Sequence, residues 1–196
     1  MSVLLLAGSP SEKSRSAALL DAVKLKLRIR SAKVEKLSLR DLAPEALLLA
    51  DVGHRTITEA VQRVADADVL VIATPVYKAA YSGFLKVFLD LLPQTAFKGK
   101  TILPLATGGS PHHMLALDYA LRPVLQSLGT KQILPGIYAT DAQVTLLPEG
   151  AYQISLDISA RLDEAVDSLI TETLVRPGHV AGRFTSVPFS QVQCSV

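Results

Sequence analysis

Short apolar runs alternate with helical stretches along most of the 196-residue chain, and this alternation strongly restricts the fold. The clearest run, Val69 to Ala73, is rich in β-branched residues and lies between Asp68 and Pro75, as expected for a strand buried on both faces. The other predicted strands are Val3 to Ala7, Val34 to Leu39, Thr101 to Ala106 and Ile133 to Tyr138. Five strands separated by helices predict an α/β domain whose parallel sheet is covered by helices on both faces.

The predicted helices are marked by apolar residues at three- and four-residue spacing. They cover Ser16 to Ile29, the stripe Ile57 to Val64, a stretch from Ser82 to Leu92, a stretch from His113 to Leu128, and the stripe Ile158 to Leu169. Ser82 is the expected N-cap of the third, which Pro93 stops, and Gly129 is the expected C′ residue of the fourth. We assign residues 1–172 to one domain. Residues 173–196 contain Gly, Pro and Ser without periodicity and are expected to form a tail.

Two prolines fall inside predicted elements. Pro104 removes a backbone donor from the fourth strand, so we expect a bulge or irregular pairing there. Pro123 removes the donor that would bond to the carbonyl of Tyr119 and pushes against the same carbonyl. This predicts a kink or a π-bulge around Tyr119, the alternative being a kinked packing helix with an ordinary tyrosine.

The charge and composition exclude several classes of partner. With 20 basic and 18 acidic residues the chain has no basic excess suited to nucleic acid, and no apolar run reaches the roughly 18–20 residues of a membrane helix. The first residues lack the basic region of a signal peptide, and Cys194 is the only cysteine, so we expect a cytoplasmic protein without disulfides or a cysteine-based metal site. The 49% hydrophobic content favours an oligomer.

The loop from Gly8 to Ser16 joins the first strand to the first helix and decides between dinucleotide-binding and flavodoxin-type folds. It contains neither G-x-G-x-x-G nor a Walker A sequence, and it is rich in hydroxyl groups, with Arg15 among them. Free backbone N–H groups, short hydroxyl side chains and a guanidinium suit a terminal phosphate. Simple capping of the helix by Ser14 and Ser16 explains the pattern equally well.

Two more loops follow strands at the same edge of the predicted sheet. One carries Tyr77, and the other contains Gly108 and Gly109, whose backbone can approach a flat ligand closely. Taken singly, Tyr77 is explained as a packing residue and the two glycines as a plain turn. Three such loops at successive strand ends together favour a flavin-binding site. The adjacent His112 and His113 cannot chelate a metal as an i, i+4 pair does, and we expect them at a solvent-facing helix start.

Several segments resemble one family. Residues 7–10, 14–16, 73–83, 103–109 and 118–125 closely resemble the NADPH-dependent FMN reductases of bacterial sulfonate utilisation. The likeness extends from the first strand to about Leu169, and the eleven-residue segment 73–83 is its most specific part.

The resemblance implies a flavodoxin-like three-layer sandwich with a five-stranded parallel sheet in the order 2-1-3-4-5. It implies that NADPH passes a hydride to N5 of FMN, and that FMN is an exchanging substrate handed to an alkanesulfonate monooxygenase. The cofactors carry this chemistry, so no catalytic acid or base and no metal is assigned. By resemblance, Ser9, Ser14, Arg15 and Ser16 contact the phosphate, and Pro75, Val76, Tyr77, Thr107, Gly108 and Gly109 line the ring.

Two further features follow from the resemblance. Tyr119 matches a tyrosine on a π-helix at a tetramer interface beside the flavin sites. Many relatives outside the subfamily carry an asparagine soon after the phosphate serine, where this chain has Ala17 and Ala18, so looser phosphate binding is expected.

Two other functions are compatible with the same fold. One is an NAD(P)H reductase of quinones, azo dyes or metal oxyanions with FMN permanently bound. The other is a flavodoxin-type electron carrier, which the pI of about 8.7 disfavours because such carriers are usually acidic. The sequence does not choose between NADPH and NADH, since no arginine stands out as a reader of the 2′-phosphate.

Overall fold

A computed structural model describes residues 1–30, 32–149 and 151–174, and it has the predicted flavodoxin-like α/β architecture. The main parallel strands are β1 (Ser2–Ala7), β2 (Lys33–Ser38), β3 (Val69–Tyr77) and β5 (Thr101–Gly108). A two-residue strand β4 (Ala80–Tyr81) pairs antiparallel with β3, and the short strands β6 (Gln132–Ile133) and β7 (Ile137–Thr140) both pair with β5. The sheet order is β2-β1-β3-β5-β6.

Helices cover both faces of this sheet. They are α1 (Arg15–Ile29), α2 (Pro44–Leu48), α3 (Arg55–Asp66), α4 (Gly83–Asp90), α5 (Arg122–Ser127) and α6 (Leu156–Leu174). Side chains alternate along β3, so that Leu70 and Ile72 pack in one core layer while Val69 and Val71 pack in the other. All four are completely buried, which confirms the prediction of a strand buried on both faces.

The sheet has seven strands instead of the expected five. The strand β4 is added, and the predicted strand Ile133 to Tyr138 is divided into β6 and β7 opposite Pro104. Ile102 O accepts from Leu134 N at 2.9 Å. The backbone groups of every second residue of β5, including Pro104, therefore point toward β6 and β7. Pro104 has no N–H to offer there, and β6 ends before it while β7 resumes at Ile137. The predicted irregular pairing is confirmed, although the break lies in the neighbouring strand rather than in β5 itself.

The predicted helix around Pro123 consists of three segments. A 3₁₀ turn covers Pro111–His113, a π-helix covers Ala116–Leu121, and Pro123 lies in the first turn of α5. The proline therefore follows the π-helix directly: Arg122 N still bonds to Leu117 O, and Pro123 has no N–H with which to continue that series. This confirms the π-bulge predicted around Tyr119.

The C-terminal part contains one feature that was not predicted. Strands β8 (Val144–Leu146) and β9 (Tyr152–Ile154) form an antiparallel hairpin between the main sheet and α6. The predicted tail, residues 173–196, lies almost wholly outside the described residues. Within the described ranges, none of the helices is long and apolar enough to cross a membrane.

Candidate FMN site

Three loops meet at the carboxyl edge of the sheet and line one cleft of about 230 Å³. This cleft brings together nine of the ten residues proposed for flavin binding from the sequence: Ser9, Ser14, Arg15, Pro75, Val76, Tyr77, Thr107, Gly108 and Gly109. Ser16 is the exception. Ser11, Lys13 and Asp141 also line the cleft, and none of the three was predicted from the sequence.

The first loop presents hydroxyl groups and the start of α1 to the cleft. Ser14 is the N-cap residue of α1 by its backbone conformation, yet its side chain makes no capping hydrogen bond. Its hydroxyl is paired instead with that of Ser16 at 2.8 Å, and Ser16 is buried inside the first turn. The buried Ser16 hydroxyl thus orients the Ser14 hydroxyl through this hydrogen bond. The alternative that both serines only cap the helix does not fit this arrangement.

Arg15 lies at the opening of the cleft and is anchored at two points. Its Nε donates to Val144 O at 2.9 Å, and its Nη1 lies 3.5 Å from Oδ2 of Asp141. The side chain of Arg15 is 38% exposed and lines the cleft, so a ligand there can reach the guanidinium. The β8–β9 hairpin, through Val144, sets the position of this cation.

The first and second loops are joined by a buried network. Thr74 Oγ1 accepts from Ser82 N at 3.0 Å, and Ser82 Oγ donates to Gly8 O at 2.6 Å while accepting from Leu85 N at 3.1 Å. The expected role of Ser82 as the N-cap of α4 is confirmed. Its hydrogen bond to Gly8 is an additional role, which joins the first loop to the second.

Tyr77 ends β3 and is followed by a tight turn into β4. Lys78 and Ala79 have φ angles of 49° and 63°, a left-handed pair that hairpin turns usually fill with Asn and Gly. Such backbone conformations carry a strain cost and often occur at functional sites. The turn leaves Tyr77 48% exposed at the side of the cleft, available to a ligand.

Gly108 forms a floor where no side chain fits. A Cβ at this position would lie 2.5 Å from Tyr138 Oη and 3.3 Å from Val76 Cβ. The Tyr138 hydroxyl is held there because it donates to Ser110 O at 2.6 Å. Burial, reinforced by the negative charge of Asp141, raises the pKa of Tyr138, so the hydroxyl keeps its proton at neutral pH.

These parts match the two ends of FMN. Hydroxyl groups, two cations and a helix start lie at one end of the cleft, where a phosphate finds donors. The other end has a glycine floor and an exposed aromatic side chain, which suit a flat ring.

Tyr119 lies outside this cleft, on the π-helix that packs against β4. Its side chain is 79% exposed, and its neighbours Met114 and Leu115 are each more than half exposed. His112 is exposed and His113 is half-buried at the 3₁₀ turn that precedes the π-helix. Among the described residues, no group of three His, Cys, Asp or Glu side chains is placed to hold a metal ion.

Comparison with known proteins agrees with this geometry. The model of the NADPH-dependent FMN reductase family matches residues 1–145. The chain is 45% identical to an FMN reductase (NADPH) of Escherichia coli, covering 86% of this chain and 87% of that one. It is 43% identical to an FMN reductase (NADPH) of Pseudomonas putida, covering 92% of each chain. A crystal structure of an NADH:FMN oxidoreductase in its apo form superimposes with a TM-score of 0.80 at 38% identity, covering 93% of each chain.

Proposed function

The chain belongs to the NADPH-dependent FMN reductase family, and on that premise we propose that it uses NADPH to reduce free FMN. In this proposal FMN enters oxidised, accepts a hydride and leaves reduced. The partner that receives it is a flavin-dependent alkanesulfonate monooxygenase, a role supported by the sequence segments described above.

The observation that carries this proposal is the convergence of the three loops in a single cleft. Phosphate donors from the first loop and the ring-facing residues of the other two lie in one lining. The residues come from positions 9–15, 75–77 and 107–109, so their meeting is a consequence of the parallel sheet order and not of local sequence.

The protein contributes binding and orientation. When both nucleotides are bound, they supply the hydride transfer themselves. Ser9, Ser14 and Arg15 hold the phosphate, which fixes the ligand along the cleft. Gly108 lets the ring approach the backbone of β5, and Tyr77 covers one side. The buried Ser82 network keeps the two ends at a set distance, so the ring is positioned before the second substrate arrives.

We propose NADPH as the hydride donor in preference to NADH. The relatives at 45% and 43% identity are named for NADPH, whereas the solved structure at 38% identity is an NADH:FMN oxidoreductase. Identity is higher to the NADPH-dependent relatives, and this supports the choice.

We further propose a homotetramer in which Tyr119 lies at a subunit interface beside the flavin sites. The support is the exposed apolar group formed by Tyr119 on the π-helix and by Met114 and Leu115 just before it, next to the β4 strand that continues from Tyr77. Apolar side chains this exposed favour burial against another subunit. The proposed location is the cytoplasm, which the presence of one cysteine in 196 residues supports.

An anaerobic reduction assay tests the activity. Dialysed protein mixed with FMN and NADPH should bleach the flavin absorbance near 450 nm, and NADH at the same concentration should do so more slowly. Addition of an alkanesulfonate monooxygenase, its substrate and oxygen should then release sulfite. Flavin that stays oxidised with both nucleotides would overturn the proposal.

A further inference from the structure

We propose that Asp141 weakens the hold of the cleft on the phosphate of FMN, and thereby sets how readily reduced FMN leaves. It does so by pairing with Arg15 and by adding a negative charge to the lining. The inference rests on the proposed function and deepens it, because a flavin that serves as a substrate must be released in each turnover.

The position of Asp141 brings a carboxylate next to the cation-bearing end of the cleft. Its Oδ2 lies 3.5 Å from Nη1 of Arg15, and it would lie 3.9 Å from a Cβ at Gly109. The backbone N–H of Asp141 donates to Gly108 O at 3.2 Å, so the residue is tied to the same loop that forms the glycine floor. The carboxylate therefore sits between the phosphate end and the ring end of the site.

The turn itself does not require this carboxylate. Gln143 N donates to Thr140 O at 3.0 Å, and Gln143 Oε1 accepts from Thr140 N at 2.9 Å, which closes the turn from the other side. Within the described part of the chain, the Asp141 side chain is paired with Arg15 and takes no part in those bonds. A structural role for the carboxylate is thus confined to its contact with the cation.

The charges explain how Asp141 acts on a phosphate. The cleft lining contains two cations, Lys13 and Arg15, and the single acidic residue Asp141. Nε of Arg15 is already engaged by Val144 O, and Nη1 faces Asp141, so an arriving phosphate must share the guanidinium. The phosphate dianion is also repelled by the carboxylate at close range. Both side chains are partly exposed, at 38% and 47%, so water and salt moderate the effect without abolishing it.

The test is the affinity of D141N for FMN and for riboflavin, measured by quenching of flavin fluorescence. Asparagine keeps the shape of the side chain and removes its charge. We expect FMN to bind about three- to tenfold more tightly to D141N than to the unmodified protein, a range typical of partly exposed charges. Riboflavin, which has no phosphate, should bind both proteins equally. The gain for FMN should shrink at high salt.

E12Q is the matched control. Glu12 lies on the same loop and is exposed, but it lines an adjoining hollow beside Ser38 and Arg40 and is not part of the cleft lining. Removing its charge should leave FMN affinity within about twofold, because an exposed charge outside the cleft lining is screened by water and salt.

The outcomes separate the inference from the proposed function. Unchanged or weaker FMN binding by D141N overturns the inference, as does equal tightening of riboflavin, which would indicate a contact with the ring or its ribityl chain. If the unmodified protein neither binds nor reduces FMN, the proposed function itself fails, whatever D141N does.

Discussion

The buried hydroxyl of Ser82 donates a 2.6 Å hydrogen bond to the carbonyl oxygen of Gly8, which lies 74 positions earlier in the chain. The same hydroxyl accepts from Leu85 N at the start of α4. One side chain therefore caps a helix and joins the loop that carries the phosphate donors to the loop that carries Tyr77. We expect the geometry of the cleft to depend on this bond.

Replacing Ser82 with alanine tests that dependence. S82A removes the cap and leaves the Gly8 carbonyl without its donor, so we expect the free energy of unfolding to fall by about 1–3 kcal/mol. FMN affinity should fall as well, since the two loops lose their connection. Urea denaturation and a flavin titration measure the two effects. S127A, which alters an exposed serine bonded within its own helix, is the control and should change neither.

Gly108 should be intolerant of any side chain. G108A places a methyl group 2.5 Å from Tyr138 Oη, and the overpacking should cost about 1–3 kcal/mol of stability and weaken flavin binding. Combining G108A with Y138F removes the hydroxyl that the methyl meets, so the double variant should be more stable than the sum of the single effects predicts. G109A has no atom closer than 3.9 Å and serves as the tolerated neighbour. Additive effects of G108A and Y138F would show that the clash is not the cause.

Arg15 should contribute to FMN binding through the phosphate. R15A is expected to weaken FMN binding by about 1.5 kcal/mol, the lower end for a charge-assisted contact, because the guanidinium is partly exposed and shared with Asp141. R15K keeps the charge but loses the guanidinium group that reaches Val144 O, so its FMN affinity should lie between those of R15A and the unmodified protein. Riboflavin binding, measured in parallel, should change little. Unchanged FMN affinity in R15A would remove this residue from the site.

The π-helix should control flavin exchange. Deleting Tyr119 removes the additional residue of the π-helix, and we expect the segment to become a continuous α-helix that holds FMN tightly. The purified deletion variant should then be yellow. Y119A keeps the chain length and should keep the π-helix, so it separates loss of the residue from loss of its ring. A colourless deletion variant would contradict the link between the π-helix and exchange.

Much of the fold could be predicted because its signals are local. The apolar run at Val69 to Ala73 and the cap at Ser82 both come from neighbouring residues. Pro123 predicted the π-helix because its steric effect falls on a carbonyl four residues away. At Pro104 the irregularity was predicted, but its place was not, since the missing donor acts on a partner strand that sequence alone does not position.

The missed parts of the site depend on distant contacts. Asp141 meets Arg15 across 126 positions, and a lone aspartate in a turn has no pattern that marks it. The β8–β9 hairpin that holds Arg15 has strands of three residues, too short for periodicity to show. Ser16 belongs to the same hydroxyl-rich segment, but its side chain is buried and contacts the Ser14 hydroxyl without lining the cleft.

Initial-velocity kinetics test most directly whether FMN is a substrate that enters and leaves. Rates of NADPH oxidation are measured with purified, dialysed protein while free FMN and NADPH are varied together. If FMN is such a substrate, the protein should be colourless, its rate should depend on added FMN, and the double-reciprocal lines should intersect. A yellow protein with parallel, ping-pong lines and a second electron acceptor would contradict this prediction, and would identify the flavin as a permanently bound group.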